Sequence, residues 1–228
     1  MMHRLIGKEK IYLYFLLLFV LLSIHNINWV NNFNNFFKIK KIAINKNIDE
    51  DLYKDISLYL DNLQNLSIFS IDSDKIQKKL NEFNLLSYFE VKKEYPSSIR
   101  INLKETKIIA YYFEDNKKMF IGENGKKITK VKLIDDDLPI IIGQVNIKKF
   151  LDFKNKLINA GFDFNDINKF YSYRSNRWDI SYKNKIIIKL PSDELDNSLR
   201  ILKNIIEKSN LRDVKVIDLR IKKRIIVS

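Results

Sequence analysis

The sequence predicts an α+β chain in three parts: a single N-terminal transmembrane helix, a small unit in the order strand, helix, helix, strand, strand, and a mixed β-sheet domain with flanking helices. Three observations carry this. A charge-free apolar run occupies residues 11–24 of the 228. Apolar residues then recur with strand and helix periodicities in that five-element order over residues 36–105. From residue 106 onward, aromatic and Ile-rich strand runs alternate with two helical patterns and turn residues.

Residues 11–30 (IYLYFLLLFVLLSIHNINWV) are 20 long, about 30 Å as a helix, the thickness of a hydrocarbon core. Trp29 falls where an interfacial aromatic belongs. Residues 26–31 (NINWVN) offer no small-x-small pair for a signal peptidase, so an uncleaved signal anchor is expected rather than a leader. Arg4, Lys8 and Lys10 against Glu9 leave residues 1–10 with net charge +2. That places a cytoplasmic tail at 1–10 and everything beyond residue 30 outside.

Residues 37–44 (FKIKKIAI) alternate apolar and basic side chains, with one slip at Lys40-Lys41, as a bulged strand would. Asp49 is placed to cap a helix carrying Leu52, Ile56, Tyr59 and Leu60 on one face. Asp72 or Ser73 opens a second helix with Ile76, Leu80 and Phe83 at helical spacing. Tyr95-Pro96-Ser97-Ser98 turns one strand into the strictly alternating residues 99–104. Further on, Asp115-Asn116 and Asn124-Gly125 read as hairpin turns, and residues 138–143 as a buried strand stopped by Gly143. A helix over 147–160 presents Phe150, Phe153, Leu157 and Ile158 and stops at Gly161. Trp178, Ile180 and Tyr182 alternate with Asp179, Ser181 and Lys183, and residues 186–190 form the partner strand. Ser192 caps a last helix lined by Leu195, Leu199, Leu202 and Ile206, and residues 214–227 end the chain as a strand or pair of strands.

Most catalytic chemistry is excluded by composition. The chain has no Cys, and its two histidines, His3 and His25, precede the folded part. Thiolate nucleophiles, imidazole triads and Cys-based metal sites therefore have no donors. The run Gly122-Glu123-Asn124-Gly125-Lys126-Lys127 lacks the four-residue glycine spacing and the Ser or Thr of a phosphate-binding loop, and reads as a hairpin. Asp135-Asp136-Asp137 lacks the spaced ligands and central glycine of a calcium loop. Asp179 and Asp218 are isolated strand acids with no second carboxylate beside them. Trp178 and the tyrosines at strand spacing are expected to pack in the core rather than stack on bases. No catalytic, cofactor or metal site is expected. The net charge of +13, from 41 Lys and Arg against 28 Asp and Glu, comes from basic residues interspersed with acids. It forms no arm or stripe of the kind that holds nucleic acid.

Several stretches together resemble the FtsQ/DivIB family of bacterial cell-division proteins, whose first extracytoplasmic unit is a POTRA domain. Phe37-Lys38-Ile39 through Ile44 resembles its first strand, and Ser70-Ile71-Asp72 its helix-opening step. Residues 86–105 (LSYFEVKKEYPSSIRINLKE) place Val91, Pro96, Ile99, Ile101 and Glu105 at the family's positions. Leu138-Pro139 through Gly143 is similar to its LP-x-x-x-G strand. Arg177-Trp178-Asp179 with Ile188-Lys189-Leu190-Pro191 is similar to the R-W-D hairpin of alphaproteobacterial members, and Ile217-Asp218-Leu219-Arg220 to the terminal strand. Asn45-Lys46-Asn47 stands where a Gly is usual, Ile108 where a Pro is usual, and Asn184-Lys185 where Asn-Gly is usual.

The resemblance implies a POTRA domain over 36–105 and an FtsQ-type β domain over 106–228. It implies a non-enzymatic protein of the cell inner membrane, single-pass with its C-terminal domain in the periplasm, acting at the division septum. There it would bind the FtsB and FtsL division proteins and link early to late components. The site expected for this is the last strand, Arg220, Ile221, Lys222, Lys223, Arg224, Ile225, Ile226 and Val227. At a sheet edge such a strand leaves a row of N–H and C=O groups open to a partner strand, with Ile221, Ile225 and Val227 alternating on one side. The competing role for Lys222, Lys223 and Arg224 is to guard that edge. An outer-membrane translocation component would need a β-barrel that the two helical patterns beyond residue 105 do not provide. A membrane-tethered nucleic-acid-binding protein would show binding that falls steeply with salt.

Overall fold

The computed structural model describes residues 8–24, 34–45, 48–131, 137–183, 185–208, 211, 213–221 and 224–228. The chain divides into two compact units: one runs up to Glu82 and includes Tyr88–Lys104, the other joins Phe83–Ser87 to Glu105–Ser228.

Within the first unit, α1 (Lys8–Ile24) is a helix of 17 residues. From Ile11 to Leu22 every side chain is apolar or aromatic and every one is exposed, so the helix has no polar face to turn to water. No helix among the described residues is long and apolar enough to cross a membrane. Residues 25–30 of the expected 20-residue span, and 1–7 of the expected tail, lie outside the described residues.

The strand–helix–helix–strand–strand order follows as β1 (Lys41–Ile44), α2 (Glu50–Asp61), α3 (Ser73–Asn81), β2 (Leu86–Glu94) and β3 (Ser98–Glu105). The sheet order is β1-β3-β2, with β1 parallel to β3. Asp49 accepts from the Asp51 and Leu52 N–H groups, and Asp72 from those of Asp74 and Lys75, satisfying donors that a helix leaves open at its start. Leu52, Ile56 and Leu60 from α2 and Ile76 and Leu80 from α3 are buried with Ile99 and Ile101 of β3. The first strand is shorter than its alternation suggests. At Lys40-Lys41 the expected bulge is present, both N–H groups donating to the Ser97 carbonyl (2.9 and 3.4 Å), while upstream Phe37 and Ile39 bond the backbone of Leu66 and Ile68 and Lys41–Ile44 joins β3. Asn45, where the family pattern carries a Gly, bonds both backbone groups of Leu103 (2.7 and 2.8 Å) and so extends the β1–β3 ladder through its side chain. The Tyr95–Pro96 peptide is cis.

The second unit is built on a sheet of nine described strands. They are β4 (Ile108–Glu114), β5 (Lys117–Gly122), β6 (Lys127–Ile128), β7 (Ile140–Gly143), β8 (Ile167–Ser172), β9 (Trp178–Tyr182), β10 (Ile186–Lys189), β11 (Val216–Asp218) and β12 (Ile226–Val227). Their order is β12-β11-β10-β9-β8-β7-β4-β5-β6. Asp115 and Asn116, both at positive φ, turn β4 into β5, and Gly125 (φ +78°) turns β5 toward β6. The core joins the sheet to α4 (Ile147–Asn159) and α5 (Leu195–Lys208), with Phe153 stacked on Trp178 at 5.1 Å and Phe150 edge-on to Phe170 at 5.2 Å.

Three expectations in this unit are corrected. All of β9 is buried, Asp179 and Ser181 included, because the strand lies inside the sheet and is covered on both faces. On α4, Phe150, Phe153 and Leu157 are buried but Ile158 is exposed. Ser192 does not cap the last helix: Glu194 stands at φ +55°, outside helical geometry, and α5 begins at Leu195.

Candidate partner-docking site

The two ends of the nine-stranded sheet are treated differently. At one end the Asn84 side chain donates to the Lys127 carbonyl of β6 (2.9 Å), and Ile128 beside it is buried. At the other end β12 pairs only inward, antiparallel to β11, with Ile217 opposite Val227 and Asp218 opposite Ile226. Val216 and Ser228 exchange both backbone bonds (2.9 and 3.1 Å). Antiparallel pairs alternate between bonded and non-bonded positions, so Ile226 also faces β11 while the N–H and C=O of Val227 face outward. Ile225, one step back in the same phase, continues that outward row.

The expected long edge strand over residues 220–227 is therefore corrected in extent: Ile226 and Val227 form it, and Lys222 and Lys223 lie outside the described residues. Upstream, the Arg224 N–H donates to the Ile221 carbonyl (3.1 Å), an i to i+3 bond that an extended strand cannot make. Ile221 thus does not reach the site by strand alternation with Ile225 and Val227. It meets Ile225 instead in a groove of about 460 Å³ whose other walls include Ile201 of α5, Pro191, Arg177 and Arg224. Ile221, Ile225, Ile226 and Val227 are 42–51% exposed, an apolar surface contiguous with an open strand edge.

Two arginine–aspartate pairs sit behind this surface. Arg220 grips Asp218 through Nε (2.8 and 3.0 Å), Nη2 (2.5 Å) and its own backbone N–H (3.0 Å). These Arg220 hydrogen bonds hold the Asp218 carboxyl below its ordinary value, and the same contact raises Arg220. Arg177 places Nε 3.5 Å from Oδ1 of Asp179, a residue only 3% exposed, and lays its guanidinium over the Tyr173 ring at 4.1 Å. Neither Arg177 Nε nor Asp179 Oδ1 has a hydrogen-bond partner among the described residues, so these two atoms meet through charge without a hydrogen bond. Both strand acids thus have an arginine partner, which sequence spacing did not reveal.

Of the expected site residues, Arg220, Ile221, Arg224 and Ile225 line the groove, and Ile226 and Val227 make the edge. Sequence reasoning missed Arg177, Pro191 and Ile201. One signal for Ile201 was present: it is an apolar residue off the Leu195, Leu199, Leu202, Ile206 stripe of α5. Among the described residues no group of His, Asp and Glu side chains is placed to hold a metal ion. Asp135 and Asp136 of the acidic run lie outside the described residues. Gly122 to Lys127 is a turn, with Gly125 N–H donating to the Gly122 carbonyl (2.9 Å).

Comparison with known proteins adds the following. The family model described as cell division protein FtsQ/DivIB, C-terminal, matches residues 110–220, and that described as POTRA domain, FtsQ-type, matches residues 37–106. The chain is 25% identical over 163 residues to the cell division protein FtsQ of Rhizobium radiobacter, covering 69% of this chain and 77% of that protein. It is 30% identical over 112 residues to the cell division protein DivIB of Bacillus subtilis, covering 49% of this chain and 43% of that protein. The chain thus spans less than half the length of the Bacillus relative. A solved structure of the major extracytoplasmic domain of the cell division protein DivIB from Geobacillus stearothermophilus superposes on 47% of this chain and 99% of its own. Its TM-score is 0.31 at 14% identity, too loose to build on.

Proposed function

We propose, from the premise that this chain belongs to the FtsQ/DivIB family of cell division proteins, that it is a membrane-tethered assembly factor of the septum which captures a partner along its C-terminal sheet edge. The family is one of non-enzymatic division scaffolds. In this reading the partners are FtsB and FtsL, met in the periplasm. The chain is divided into a tail (1–10), a signal anchor (11–30), a POTRA domain (36–105) and a β domain (106–228). The all-round apolar α1 supports the tether, since a helix with no polar face needs an apolar solvent.

The observation that carries the reading is the open outer row of β12 beside the exposed Ile221, Ile225, Ile226 and Val227. An added strand would bond the outward Val227 N–H, and the groove walls would select its side chains. The guarding role for Arg224 is weakened by its place in the groove wall.

The test is calorimetric titration of the full chain with the periplasmic parts of FtsB and FtsL. Val227→Pro removes the outward donor while leaving the inward bonds of Ile226 and Ser228 in place. Ile225→Pro does the same one step back. Each is expected to weaken binding at least about tenfold, the loss of roughly one buried hydrogen bond together with steric exclusion. Unchanged affinity in variants of native circular dichroism overturns strand capture.

A further inference from the structure

We infer that the first unit carries a second contact surface, an aromatic strip that rests on the head-group region of a lipid bilayer. Three separate segments build it. The Phe37 carbonyl and Ile39 N–H bond Ile68 and Leu66 (both 2.9 Å), and the Lys40 N–H bonds the Ser97 carbonyl (2.9 Å). Backbone pairing thereby gathers Phe36 and Phe37, Leu66 and Phe69, and Tyr95 at one place. Their rings form a continuous chain: Phe36 to Phe37 at 5.2 Å, Phe37 to Phe69 at 4.9 Å, Phe69 to Tyr95 at 5.6 Å. The neighbouring Ile39 and Ile68 are fully buried, yet Phe36, Phe69 and Tyr95 are 54–61% exposed. A strip of large rings left in water while smaller residues between them fill the core is a surface to be covered.

Two further observations choose the bilayer as its cover. The segments 34–41, 64–70 and 95–99 contain Lys38, Lys40 and Lys41 and no acid, and all three lysines are exposed. The nearest acid along the third segment, Glu94, is held by Arg100 at 2.8 Å. Aromatic rings flanked by lysines match the interface, where ring bodies sit among acyl chains and head groups and ammonium groups meet lipid phosphates. The chain also brings the strip there: eleven residues separate Ile24 of α1 from Phe36, a reach of at most about 40 Å. So short a tether keeps the strip at high effective concentration near any membrane that holds α1. This inference rests on the reading of α1 as the anchor.

The absence of cysteine makes the test clean. Full chain carrying Ser70→Cys, an exposed position beside Phe69, is labelled with a polarity-sensitive dye. It is reconstituted in vesicles of phosphatidylcholine and phosphatidylglycerol with brominated acyl chains. A second sample carries the label at Val20→Cys in α1. Quenching at position 70, lost when Phe69→Ser and Tyr95→Ser are added, supports docking, because those exposed rings are not needed for the core. A label at position 70 that reports water overturns it and leaves the strip to a protein partner. Position 20 decides the anchor separately. Quenching there with none at 70 keeps the anchor and removes the docking, whereas no quenching at either position removes both.

Discussion

At the scale of single residues, the Arg220–Asp218 pair makes a pH prediction. The carboxyl is held below its ordinary 3.8 by the Arg220 hydrogen bonds, so the folded state binds its proton more weakly than the unfolded state does. A depressed acid adds stability that is complete above the unfolded value and is lost as pH falls through the folded one. Asp218→Asn is therefore expected to cost on the order of 1 kcal/mol near neutral pH, discounted because Arg220 is partly exposed. That difference from the wild type should shrink as pH falls below the ordinary carboxyl value of 3.8 and vanish once the folded protein is protonated at Asp218. Urea unfolding of both proteins across that range checks it, and a pH-independent difference removes the pair as the cause. The residues of the edge, Ile225 to Val227, were legible because a run of β-branched side chains reads as strand. Arg177 and Ile201 were not, because they enter the groove from β9's approach and from α5, and only the folded sheet brings such separated positions together.

At the scale of elements, Gly143 closes β7 at φ +107°, and a Cβ there would stand 2.2 Å from the Ser172 carbonyl oxygen of β8. The obstacle is backbone, which cannot swing aside as a flexible side chain could. Gly143→Ala is expected to cost about 2–3 kcal/mol, read as a lower urea midpoint with unchanged slope; a loss under about 0.5 kcal/mol would show that β7 and β8 separate there without cost. This stop was readable from Gly after an Ile run. So were the Asp49 and Asp72 caps, because each depends on a side chain and the next three backbone donors. What escaped were features decided by distant neighbours. β9 looks half-exposed by alternation, but it lies inside the sheet, and Asp179 is buried with Arg177 beside it. Ser192 looks like a cap until Glu194 turns to positive φ. The 220–227 run looks like one strand, yet an i to i+3 bond at Ile221 folds it back and leaves two residues for β12.

At the scale of the whole molecule, the net charge of +13 raises the question of which force holds a partner. Many of the described cations are already answered by acids in pairs such as Lys154–Glu123, Lys156–Asp196, Lys127–Glu114 and Arg100–Glu94. The docking edge itself is apolar, with Arg220 committed to Asp218. Binding through main-chain bonds and buried isoleucines displaces water rather than condensed counterions, so it should depend weakly on ionic strength. A nucleic-acid contact of six to ten phosphates would lose roughly 10³–10⁵ in affinity between 50 and 200 mM salt. Strand capture should lose less than about tenfold over the same interval, since only rim charges are screened. Titrating the FtsB–FtsL periplasmic parts and a single-stranded DNA of mixed sequence against the full chain at both salt concentrations decides between them. A shallow slope with the protein partner and no specific DNA binding at the higher salt is the expected result. A steep slope with either ligand would move the function from the β12 edge to the basic surface.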